Sequence, residues 1–256
     1  MLPQEFATTE TISFEILNEL IIQNNFSTIR TIVESTKNYN TYILVGACIC
    51  GKIEIVKLLL ENGVDIHYTD DNALRVACEV GHYDIVKLLL DAGANIHAKY
   101  GDPLMIVCEF GHYDIAKLLL ENGANVNALD GIPLAFACYF GHYNIAKLLL
   151  ESGANVNSFG DALMEYCAPV EIDKVAAQLE TIKLAVSHGA DIPDEILVNC
   201  CMYDEYYDIV KFLLDSGANI NAIDEEIKLK LVKQKCYKII PLLKEYGLEF
   251  DAENLN

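Results

Sequence analysis

Three histidines, His82, His112 and His142, recur 30 residues apart, and four cysteines, Cys48, Cys78, Cys108 and Cys138, recur at the same interval. Imidazole and thiol are the side chains that hold zinc and serve as bases and nucleophiles, so the pattern raises metal or covalent chemistry first. The interval argues against both. Residues that recur once per unit of a stack lie about 10 Å apart, the spacing of packed helices, whereas a Zn–N bond is about 2 Å long. No C-x-x-C pair occurs, and the Cys–His spacing fits no zinc template. A catalytic centre gathers nucleophile, base and orienting group in one pocket, while repetition lays like residues out in parallel stripes. G-x-S-x-G, P-loop and H-E-x-x-H motifs are absent from the sequence. The expectation is therefore no enzyme, no metal and no cofactor. The recurring cysteines read as small apolar residues fitted between helices, and Cys48/Cys50 and Cys200/Cys201 as buried thiols of a reducing compartment.

The elements that carry these residues are spelled out four times. GKIEIVKLLLENGVDIH starts at Gly51, GHYDIVKLLLDAGANIH at Gly81, GHYDIAKLLLENGANVN at Gly111 and GHYNIAKLLLESGANVN at Gly141. A fixed period of this size means a solenoid, in which each unit contacts mainly its neighbours. In the unit 71–100, residues 73–78 read as a short helix that Gly81 ends. Asp84 then reads as the cap of a second helix over 85–91, which Gly93 stops. Two short helices cannot bury their apolar faces alone, so the units must stack.

These residues resemble the ankyrin repeat. Gly-His stands at 81–82, 111–112 and 141–142, and Gly-Ala at 93–94, 123–124, 153–154, 189–190 and 217–218, around the I-V-x-x-L-L helix. Where the family has T-P-L-H, this chain has Asp102-Pro103-Leu104-Met105, Ile132-Pro133-Leu134-Ala135 and Asn72-Ala73-Leu74-Arg75. The unit is also shorter than the family's usual 33 residues, and the missing residues fall in the loop that normally forms a β-hairpin finger. The resemblance implies an all-α solenoid of about eight helix-turn-helix repeats with shortened β-hairpin fingers, and it makes the link histidine structural. The trimmed, Asn- and Ile-rich units are similar to those of ankyrin proteins from giant DNA viruses of amoebae.

A single repeat domain is expected over 1–256. Residues 1–37 form an N-terminal capping repeat and 38–157 four regular repeats. Residues 158–222 hold two irregular repeats with an acidic insert near 168–180, and 223–256 a C-terminal capping repeat. Lys228, Lys230, Lys233, Lys235 and Lys238 crowd that last pair, as a solvated capping face or a local docking site.

Composition narrows the partners. Of 256 residues, 52% are hydrophobic and 22% charged, enough apolar material for a long core, and the formal net charge is −20. Nucleic acid calls for a basic stripe, and anionic membrane surfaces repel this sign. Neither partner is expected. A basic protein partner is the electrostatically favoured one. Glu5, Glu10, Glu15 and Glu19 occupy the opening segment, so no secretory signal is expected. A cytoplasmic monomer is expected, in host cytoplasm if viral, with the nucleus a second location.

Within the constant frame the first helix carries two stripes, of which the first changes from unit to unit and the second holds large apolar residues where the family is usually polar. One is Arg75/Glu79, Met105/Glu109 and Ala135/Tyr139; the other is Val76/Val80, Ile106/Phe110 and Phe136/Phe140. Large apolar residues at an exposed site make binding anchors; in the space left by a short finger, Phe110 and Phe140 could instead pack as core. Ankyrin proteins commonly touch partners through their loops, which here contain Tyr100, Asp102, Asp130 and Phe159. The function expected is non-enzymatic protein binding on a concave inner-helix and finger face. Two alternatives are a substrate-recruiting ubiquitin-ligase adaptor, given the faint F-box-like opening Leu2-Pro3-Gln4-Glu5-Phe6, and a structural spacer or virion component.

Overall fold

The computed structural model describes residues 12–35, 38–98, 103–157, 175–191 and 193–250. Every regular element among them is helical. The fold is the all-α, ankyrin-type stack of helix pairs that the period predicts. The chain forms two compact units, 1–125 and 126–256.

The first unit holds four helix pairs: α1 (Phe14–Ile22) with α2 (Phe26–Ser35), α3 (Asn40–Ile49) with α4 (Ile53–Glu61), α5 (Tyr68–Val80) with α6 (Tyr83–Asp91), and α7 (Pro103–Phe110) with α8 (Tyr113–Glu121). The inner helices α1, α3, α5 and α7 pack in one row, and the outer helices α2, α4, α6 and α8 in another. Periodicity dictates who is inside. Leu74, Ala77 and Cys78 of α5 and Leu104, Val107 and Cys108 of α7 are all fully buried, as are Val86 and Leu89 of α6. Each buried Leu or Val contributes roughly 1.5–3 kcal/mol.

The junctions differ from expectation in two places. Helix α6 begins at Tyr83, with His82 at its N-cap and no side-chain capping bond. Asp84 therefore sits inside the first turn rather than at the cap, where its charge complements the helix dipole. The finger is replaced by a turn, with no strand among the described residues. At the start of the α5 range, Thr69, Asp70 and Asp71 adopt φ values of 53°, 56° and 54°, a left-handed turn that kinks the chain ahead of the right-handed helix. Asp71 is buried there, accepting a hydrogen bond from the backbone N–H of Asn95 at 2.8 Å and lying 3.0 Å from His67 Nδ1. The carboxylate thus ties the turn to the exits at His67 and Asn95, before and after the α5–α6 pair.

The second unit contains α9 (Ile132–Tyr139), α10 (Tyr143–Glu151), α11 (Val175–Ser187), α12 (Asp194–Cys201), α13 (Tyr207–Asp215), α14 (Glu225–Gln234) and α15 (Ile239–Glu245). The same left-handed turn precedes α9, through Leu129, Asp130 and Gly131 with φ of 50°, 57° and 92°. Helix α11 packs on both α9 and α10. Its first six residues, 175–180, are the end of the predicted insert, built as extra turns of an outer helix; residues 168–174 lie outside the described residues.

Candidate functional site

Two of the three link histidines, His82 and His112, are seen in a structural role. The Nε2–H of His82 donates to the carbonyl of Ile49 at 3.2 Å, and that of His112 to the carbonyl of Glu79 at 2.9 Å. Each ring lies flat against the link glycine of the preceding repeat: a Cβ built on Gly81 would stand 2.5 Å from Cε1 of His112. The imidazoles are occupied in stitching repeats together. The irregular repeat keeps this stitch by other means. Ala177 covers Gly141, and Thr181 Oγ1 donates to the carbonyl of Cys138 at 2.9 Å.

The four recurring cysteines sit in the core as expected, whereas Cys50, expected to be buried, lies half in solvent. Cys48, Cys78, Cys108 and Cys138 are fully buried. Burial pushes the Cys48 thiol up to about 12 and that of Cys138 higher still. Such thiols are poor nucleophiles and poor metal ligands at neutral pH.

The stripes of the first unit do form a surface. Helices α5 and α7 pack side by side. Val80 is 44% exposed and Phe110 47%, so Phe110 is a surface residue, its ring stacked on His112 with centroids 6.4 Å apart. Glu79 is exposed, while Met105 and Glu109 are half-buried. Partial burial, with the charge of Glu79 alongside, holds the Glu109 carboxyl above the usual carboxylate range. Arg75 is half-buried, and its Nε makes no hydrogen bond. The two neighbouring inner helices thus carry two exposed apolar side chains, Val80 and Phe110, and two carboxylates, Glu79 and Glu109, that repel one another.

The second unit departs from the prediction. Tyr139 is 8% exposed and Ala135 1%, so neither lies on a contact surface. Helix α9 is apolar on every side, and all residues from Pro133 to Tyr139 are buried; a helix apolar all round is covered all round. The ring of Tyr139 meets that of Phe140 edge-on at 4.8 Å. Phe140 is half-buried, edge-on to Phe136 as well and stacked on His142. Asp130 is exposed on its left-handed turn. Tyr100, Asp102 and Phe159 lie outside the described residues.

Comparison with known proteins agrees with this stack of helix pairs. A family model described as "Ankyrin repeats (3 copies)" matches residues 10–100 and 97–159, and one described as "Ankyrin repeat" matches 197–225. The chain belongs to the ankyrin repeat family. Among solved structures it is similar to the human ASB11 ankyrin repeat domain. The match has a TM-score of 0.65 and 23% sequence identity, and it covers 81% of this chain and 99% of that one. At this identity the likeness is one of fold. No curated protein matches the chain.

Proposed function

We propose that this protein is a non-enzymatic binding module whose inner-helix face in the first unit takes a basic partner protein. Val80 and Phe110 supply the apolar contacts, Glu79 and Glu109 the charge, and Arg75 and Met105 the flanks. The observation that carries the reading is the pair of exposed apolar side chains set among carboxylates on packed helices. A preordered face loses little entropy on binding, and the net charge of −20 draws a cationic partner toward it. The compartment that suits the buried thiols, which form no disulfide among the described residues, is the reducing interior of a cell.

The test is affinity capture from cytosolic extract with wild type beside a folded Phe110→Ala/Glu109→Lys variant. A protein retained by wild type and lost by the variant supports this face and identifies its partner. Equal retention overturns it. With the partner in hand, Glu109→Lys is expected to slow association and reduce its salt dependence.

A further inference from the structure

The last helix pair breaks the repeat's own rules at two positions, and both changes introduce lysine. The spacing from Ile85 to Ile239 places Lys235 where Gly81 stands and Lys238 where Asp84 stands. In four links the first of these positions is a glycine with positive φ: Gly51, Gly81, Gly111 and Gly141. Lys235 adopts the same left-handed conformation, φ 61°, at the C-cap of α14, where a β-carbon is strained. The second position carries a first-turn acid in Glu54, Asp84, Asp114 and Asp208, as the positive end of the helix dipole favours. Lys238 instead puts a cation there, and Asp204 of the preceding pair compensates by accepting the N–H groups of Lys238 and Ile239 at 2.9 and 3.1 Å.

Both lysines therefore stand where local stability favours another residue. Strain held in place by its surroundings collects at functional positions. The neighbouring surface supports a functional reading. Lys228 and Lys230 are neutralised within α14 by Glu225 and Glu226. Lys233, Lys235 and Lys238 are exposed and have no ion pair among the described residues. Between the last two stands Tyr237, 70% exposed, the most exposed large apolar side chain among the described residues.

We infer that the turn joining α14 and α15 is a docking site for a short acidic segment of another protein, with Lys233, Lys235 and Lys238 binding its carboxylates and Tyr237 an adjacent apolar side chain. Charge complementarity selects the occupant. Three unpaired cations within six residues act as one charge at a screening length of about 8–10 Å. A short acidic segment meets these three lysines together with the carboxylates of Asp204 and Glu205 beside Cys236, a local balance that stays cationic, whereas a long nucleic acid also meets the acidic remainder of a chain of net charge −20. None of its residues belongs to the inner-helix face of the first unit.

The experiment restores the repeat's own residues. Lys235→Gly/Lys238→Asp is expected to weaken binding of a fluorescein-labelled 15-residue peptide of Glu-Leu-Asp triplets at least tenfold. Binding is read by anisotropy at low salt, where wild type is expected to bind the peptide and lose it as salt rises. Absence of binding by wild type, or equal binding by the variant, overturns the proposal. Tighter binding of single-stranded dT15 than of the peptide overturns the choice of a protein segment, and dimerisation without peptide binding overturns it in favour of a second copy. A Phe110→Ala control is expected to leave the peptide affinity unchanged.

Discussion

The ring of His112 reaches back 33 residues to donate its Nε2–H to the carbonyl of Glu79 at 2.9 Å. One side chain thereby closes the end of the preceding repeat's inner helix and lies against Gly81, whose missing β-carbon makes the space. The Gly-His pair is thus two halves of a contact between successive repeats.

This separates two glycines that look alike in sequence. Gly93 has φ of 92° with open space around its Cβ position, whereas Gly81 has φ of 87° and the His112 ring in the way. Gly93→Ala is expected to cost about 1 kcal/mol, from the left-handed backbone alone. Gly81→Ala adds the displaced ring and its hydrogen bond, for about 2 kcal/mol in all. Urea midpoints measure both; equal losses would count against the stitched link.

Tyr139 and Phe110 lie on the same inner-helix turn of different repeats yet have opposite surroundings. Tyr139→Ala empties a packed aromatic site and is expected to destabilise by about 3 kcal/mol. Phe110→Ala removes a ring that is 47% exposed and is expected to cost less than about 1 kcal/mol. Thermal unfolding of the two variants, side by side, checks the assignment of one to the core and the other to the surface.

Glu109 carries a pH signature. Desolvation, and then the charge of Glu79, raise its pKa. Its ionised form is therefore less favourable folded than unfolded, and the folded state binds the proton more tightly. The penalty is present at neutral pH and vanishes as pH falls through the raised value. Glu109→Gln is accordingly expected to be more stable than wild type at pH 7, with the advantage shrinking toward pH 4. A difference that stays constant over that range would show that charge is not its origin.

Much of this was legible in the sequence because repetition fixes both period and register. Gly81 at φ 87° ends its helix as predicted, the cysteines at the repeat interval are fully buried, and the histidines are link residues. Tyr139 was misplaced because its stripe was read by analogy with Glu79 and Glu109, although its own helix, IPLAFACY, has no polar side to turn outward. The left-handed turn at 69–71 could not be read because three consecutive non-glycine residues rarely share that conformation. There the bonds of the buried Asp71 to His67 and Asn95 decide the matter.

That turn has a consequence for how the chain meets degradation. Proteolytic nicking concentrates at exposed loop tips that can open locally. A long hairpin finger would present such a tip at every junction. The turns at 69–71 and 129–131 present three residues wound left-handed between elements that pack at once. At these two junctions a trimmed finger leaves a protease less chain to open, so the repeat gains in survival what it gives up in reach.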